Sequence, residues 1–123
     1  MKVIFMGTPE FASHFLSYLV QSNHEVLAVV TQPDRPAGRG KSLTPPPVKI
    51  LAEKLGLPVI QPENLKDPEF ESTLLKYNAD IFIVFAFSIL PRNILGASRV
   101  GALNIHGSLL PAYRGAAPVQ WAI

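Results

Sequence analysis

Residues 1–31, MKVIFMGTPEFASHFLSYLVQSNHEVLAVVT, decide the fold. Lys2 to Met6 is a short apolar run suited to a buried strand, and Gly7 turns the chain. Thr8-Pro9 then offers a helix N-cap followed by proline at the first helical position. Phe11, Phe15, Leu16, Leu19 and Val20 recur near helical spacing as one apolar stripe, which Ser22-Asn23 ends. Glu25 to Thr31 reads as a second strand. A strand, turn, helix and strand in that order form a parallel crossover, and such crossovers are right-handed in nearly all sheets. The chain therefore opens as an α/β protein.

One reading of this opening fails on its chemistry. A dinucleotide site needs glycine at more than one position of the first turn, so that the backbone can approach a pyrophosphate, and an acid beyond the second strand for a ribose. Asp34 is placed for the second role. Gly7-Thr8-Pro9-Glu10, however, has one glycine followed by proline and an acid.

Downstream, Thr44-Pro45 restarts a helix carrying Val48, Ile50, Leu51 and Leu55 to a stop at Gly56. Pro58 to Ile60 is a short strand. Asp67-Pro68 opens a third helix with Phe70, Leu74 and Leu75 on one face, Glu69 and Glu71 near its positive end, and Asn78 as its stop. Ile81 to Phe87 is a continuous apolar run bounded by polar residues, the pattern of a central strand buried on both faces. Pro91 to Leu95 is one helical turn, Val100 begins a fifth strand, and Ala116 to Ile123 reads as the opening of a helix. The expected fold is a doubly wound, mostly parallel α/β sheet with its five strands in the order 3-2-1-4-5.

Composition narrows the functional classes. With 123 residues, 48% hydrophobic and 16% charged, the chain is globular and one domain at most. It has no cysteine, and His14, His24 and His106 lack metal-ligand spacing, so no metal is expected. The start lacks the pattern of a signal peptide, and the stretch from Ile81 to Leu90 is too short to span a bilayer, which points to a cytoplasmic protein.

Two stretches carry chemistry. The first, TQPDRPAGRGKSLTPPPVK at 31–49, has no apolar periodicity before Val48 and sets four cations against Asp34 alone. It reads as a long exposed loop, longer than a compact α/β unit needs. Arg35, Arg39 and Lys41 can reach phosphates or bases from it, or can be solvated and touch nothing. The second runs from Gly101 to Pro118, GALNIHGSLLPAYRGAAP. Strand alternation turns Asn104 and His106 to one face and Ile105 to the other, at the end of the strand, where open α/β sheets bind ligands. An amide can donate to an oxygen gaining negative charge, and an imidazole can move a proton near neutrality. The pair suits acyl-group transfer; it also suits a strand-end cap beside a structural histidine.

Three separated words, FMGTPEFA (5–12), QPDRPAGRGK (32–41) and NIHGSLLPAYRGAAP (104–118), resemble the folate-dependent formyltransferases, and the resemblance covers the whole chain. The basic loop and the Tyr113–Pro118 extension resemble the branch acting on methionyl-tRNA. The glycinamide ribonucleotide branch shares the Asn-x-His-x-Ser-Leu-Leu-Pro core but lacks that loop. The resemblance implies 10-formyltetrahydrofolate as formyl donor and the amino group of methionine on initiator tRNA as acceptor. It implies catalytic roles for Asn104 and His106, folate binding by Ser108, Leu109, Leu110 and Pro111, and tRNA contacts by Arg35, Arg39 and Lys41. Arg114 is placed for either the RNA or the fold.

The chain departs from the family pattern at Ala86-Phe87-Ser88-Ile89-Leu90-Pro91, one residue shorter than the usual pterin-lining segment and with Ser88 where glycine is usual. In the family an aspartate beyond the histidine orients it, and no acid follows His106 here. The resemblance thus implies that residues 1–123 are the N-terminal part of a catalytic domain, with the rest of that domain and a C-terminal tRNA-binding domain lying outside it, and that 1–123 alone is inactive. It implies a monomer for the full-length protein; the sequence itself gives no oligomeric state. Two other readings remain open: a formyltransferase acting on a small amine or nucleotide sugar, and a non-catalytic folate- or RNA-binding fragment.

Overall fold

A computed structural model of the chain describes residues 1–37, 40, 42–105 and, as backbone, 119–122. Strand β1 (Lys2–Gly7) leads into helix α1 (Glu10–Gln21) and strand β2 (Glu25–Val30). A short hairpin, β3 (Arg35–Ala37) with β4 (Ser42–Thr44), precedes α2 (Pro47–Lys54) and β5 (Val59–Ile60). Then come α3 (Pro68–Leu75), β6 (Ile81–Phe85), α4 (Arg92–Leu95), β7 (Gly101–Ile105) and β8 (Val119–Ala122). The main sheet has the order β5-β2-β1-β6-β7-β8, with the first five strands mutually parallel and β8 antiparallel to β7. Its first five strands are the expected 3-2-1-4-5 arrangement.

The period-two alternation of the strands divides the core into two layers. Val3, Phe5, Val29, Ile81, Ile83 and Phe85 face α1 and α2. Ile4, Met6, Ala28, Val30, Phe82 and Val84 face α3 and α4. β1 and β6 are covered on both faces, and all five residues of β6 are buried, as its unbroken apolar run requires.

Helix boundaries follow local chemistry. Asp67 caps α3 by accepting from the Glu69 backbone N–H at 3.0 Å, with Pro68 at the first helical position. Asn78, at φ 51°, ends the segment behind it in the left-handed conformation that asparagine tolerates. Gly56 closes α2 at φ +74°.

Several expectations need correction. α1 begins at Glu10 with Pro9 as N-cap, because the Thr8 hydroxyl faces the end of β2 instead of the helix. The α1 stripe takes in Ala12 beside Leu16 and Leu19, with Phe15 and Val20 packed against it, while Phe11 is 57% exposed and only edges against Phe85. α2 starts at Pro47, after two prolines that fix an extended entry, and Ile50 lies outside its buried face. Arg35–Ala37 and Ser42–Thr44 pair as an antiparallel hairpin where a loop without structure was expected. Finally, Val119–Ala122 is a strand where a helix was expected: β7 would otherwise end the sheet with unpaired backbone groups, and valine and tryptophan suit a strand.

Candidate active site

The carboxyl ends of β1, β2, β6 and β7 meet along one edge of the sheet, which is where a ligand crevice forms in this architecture. Gly7 lies opposite Phe85, Phe85 opposite Ile105, and Val84 opposite Asn104. Gly7 is needed for close approach. A Cβ there would lie 2.8 Å from the Phe85 carbonyl oxygen and 2.8 Å from the Ala12 Cβ, so nothing larger lets α1 and β6 pass so near.

Asn104 stands near the end of β7. Leu103 and Ile105 pack into the α1/α2 layer, whereas Ala102 belongs to the opposite layer, so alternation puts Asn104 on the Ala102 face, as expected. There it lines a cavity of about 110 Å³ with Val84, Ser88, Ile89, Leu90, Leu95 and Ala102. The walls are mainly apolar, with the Asn104 amide and the Ser88 hydroxyl as polar side-chain groups. Such a lining suits a mainly apolar group that makes a few hydrogen bonds, and its size is that of part of a small-molecule site rather than a whole one, since such sites run to about 300–1,000 Å³. β6 ends at Phe85, two residues earlier than expected, because Ala86 turns the chain at φ 54°. An alanine held left-handed is strained, and here it swings Ser88 and Ile89 to the cavity lip, where Ile89 is 94% exposed.

The second catalytic expectation, His106, lies outside the described residues, as do the folate-segment residues Ser108, Leu109, Leu110 and Pro111, the arm residues Arg39 and Lys41, and Arg114. Of the expected site residues, Asn104 and Arg35 are described. Arg35, exposed on β3, donates to the Gln32 side-chain oxygen at 3.1 Å. Gln32 in turn donates from Nε2 to the Ser88 hydroxyl at 3.0 Å, so the base of the basic arm reaches the cavity lip.

Sequence reasoning missed this polar junction. The Gln32 backbone N–H donates to the Thr8 hydroxyl, and the Gln32 carbonyl accepts from Gln61 Nε2 at 3.0 Å. Gln61 also donates to Asp34 at 2.7 Å, and Lys49 pairs with the same carboxylate at 3.1 Å. The Gln61 and then the Lys49 hydrogen bonds hold the Asp34 carboxyl below the usual carboxylate range. Lys49 is thus committed to Asp34 and is not one of the arm's outward cations. Gln32 stands inside the second matched word, but only proximity in the fold shows what its side chain joins.

A larger cavity, about 730 Å³, opens at the opposite edge between α4 and the start of β7, walled by Arg92, Leu95, Gly96, Ser98, Arg99, Val100 and Gly101. Its size does not make it the site. It lies at the amino end of β7, away from Asn104 and the converging strand ends. Among the described residues no group of three or more histidine, aspartate or glutamate side chains could hold a metal, and no helix is long and apolar enough to cross a membrane.

A family model described as formyl transferase matches residues 1–123. A curated relative named methionyl-tRNA formyltransferase, from Desulfotalea psychrophila, is 55% identical over the whole chain, which covers 38% of that protein. A second of the same name, from Geobacter metallireducens, is 51% identical, and the chain covers 40% of it. The chain therefore spans about two fifths of the length of the curated relatives it matches. Among solved structures, a phosphoribosylglycinamide formyltransferase from Anaplasma phagocytophilum superposes with a TM-score of 0.62 at 22% identity, over 94% of this chain and 53% of that one. At that identity the likeness concerns the fold.

Proposed function

The chain belongs to the formyl transferase family, and on that premise we propose that the protein carrying it transfers a formyl group from 10-formyltetrahydrofolate to the amino group of methionyl-tRNA. The observation that carries the chemistry is the place of Asn104, near the carboxyl end of a parallel strand in the wall of an apolar cavity. The choice of acceptor rests on relatives at 51–55% identity that bear the name of that reaction, and on a basic arm anchored beside the same cavity. A charged tRNA as acceptor places the reaction in the cytoplasm, where translation runs.

In this reading the apolar wall of Val84, Leu90, Leu95 and Ala102 excludes water from one side of the folate ring system, and backbone groups near Ser88 orient it. The folate supplies the formyl group. The Asn104 amide donates to the formyl oxygen, and that bond strengthens as the amine attacks and negative charge gathers there. His106, two residues further along the sequence, takes the proton released by the attacking amine and returns one as the folate nitrogen leaves. Ser108, Leu109, Leu110 and Pro111 complete the folate segment, and Arg35, Arg39 and Lys41 hold the acceptor end of the RNA. Residues 1–123 form the amino-terminal part of the catalytic domain; the greater length of the relatives supports this.

A direct comparison tests the acceptor. The full-length protein should formylate methionyl-tRNA and leave amino sugars on nucleotides untouched. Faster transfer to the small amine would move the chain to a different branch of the family.

A further inference from the structure

Every hydrogen-bonding group of Gln32 is occupied, and the partners fall into two sets. The backbone pair, to Thr8 and from Gln61, fixes the end of β2. The side-chain pair links two functional parts: Oε1 accepts from Arg35 on the hairpin, and Nε2 donates to Ser88 at the cavity lip. The orientation of the amide is settled by chemistry, because a guanidinium only donates. With Oε1 turned to Arg35, Nε2 must face Ser88.

From this junction we propose that Gln32 is a positioning residue that couples the basic arm to the cavity, so that RNA held by the arm tightens folate binding. The inference rests on the reading of the site as a folate and tRNA site. Arg35 has five N–H donors, and its recorded side-chain bond to Gln32 uses one of its terminal nitrogens. A phosphate engaging the rest immobilises the guanidinium, and with it the Gln32 amide and Ser88. Ordering the lip in this way removes part of the entropy loss that folate would otherwise bear on binding, which gives positive coupling without a change of shape. The bonds involved are solvent-exposed and individually weak, so the coupling belongs at the low end of the usual range, about 5- to 10-fold. Linkage makes it reciprocal: folate should tighten tRNA binding by the same factor.

The test is the dissociation constant of tetrahydrofolate, which carries no formyl group to react, measured on the full-length protein with and without saturating methionyl-tRNA. In the wild type it should fall about 5- to 10-fold when the RNA is present. Gln32→Leu keeps both backbone bonds and should retain its thermal midpoint while the ratio collapses towards one. Gln32→Glu should preserve the coupling, since a carboxylate accepts from Arg35 and from a rotated Ser88 hydroxyl. Ser88→Ala, at an exposed position, breaks the same link from the other side and should also abolish the coupling without adding to the effect of Gln32→Leu. A wild type that binds both ligands independently, or a Gln32→Leu protein that keeps the full ratio, would overturn the proposal and leave the function standing. A wild type that binds neither ligand overturns both.

Discussion

Single atoms decide how closely α1 and the sheet approach, and Gly7 shows it most directly. Its φ is not in the left-handed region; what the position needs is the absence of a Cβ, since one of the two nearest obstacles is the Phe85 carbonyl, a backbone atom that cannot rotate away. Gly7→Ala should therefore destabilise the fold by about 1–3 kcal/mol, the usual effect of overpacking, as read by chemical denaturation. Ala86 presents the opposite case. Its left-handed backbone costs about 1–2 kcal/mol, whereas glycine there would add about 0.5–1 kcal/mol of chain entropy. Ala86→Gly should leave stability unchanged or raise it by up to about 1.5 kcal/mol. A clear loss of stability would show that the alanine methyl packs against something that offsets its strain.

Among the elements, the sheet's two edges do different work, and the amino edge is held by a carboxylate. At the amino edge Asp80 binds three strands together. Its carboxylate accepts from the Lys2 N–H at 2.8 Å and from Arg99 Nε at 2.9 Å, while its backbone bonds to Lys2 and Val100. The Lys2 hydrogen bond and then Arg99 hold its carboxyl below the usual range. A folded-state pKa below the unfolded value of about 4 means that the stabilisation is fully present above that pH and is lost as pH falls through the folded value. Stability should thus be insensitive to this group near neutrality and decline below about pH 4. Asp80→Asn should flatten that acid decline. An unchanged acid limb in denaturation curves at pH 7 and pH 3 would remove Asp80 from the account.

The hairpin is the element that sequence reading under-described. Proline and glycine density identified an exposed segment correctly, but a two-stranded ribbon leaves no long apolar alternation to detect, so β3 and β4 were not legible. Its expected function is unaffected by that correction. Arg39→Ala should weaken tRNA binding while leaving folate affinity intact, and wild-type RNA affinity should fall as salt rises. RNA binding that ignores both the substitution and the salt would make the arm a bystander.

At the scale of the whole molecule, the parallel sheet was readable because each crossover carries its own punctuation: Gly7 before α1, Asp67-Pro68 before α3, and the unbroken run of β6. β8 was not, because its strand character comes from the exposed edge of β7, a tertiary demand that Val119–Ala122 does not announce locally. The site divides in the same way. Asn104 could be placed from alternation alone, and it lines the cavity as that alternation requires. Its neighbours Val84, Leu95 and Ser88 come from separate segments and meet only through strand order and the turn at Ala86. The polar junction at Gln32 was hidden for the same reason, since Thr8, Gln61 and Ser88 are far apart in the chain.

The central claim is that the Asn104 amide acts on charge that appears during formyl transfer. Single-turnover transfer from 10-formyltetrahydrofolate to methionyl-tRNA, measured beside tetrahydrofolate affinity in full-length wild type and Asn104→Ala, tests it most directly. Loss of one such donor should slow the chemical step by about 10²–10³-fold, or about 2.7–4 kcal/mol, with a far smaller change in folate binding. Equal losses in rate and affinity, or a variant that turns over at the wild-type rate, would contradict it.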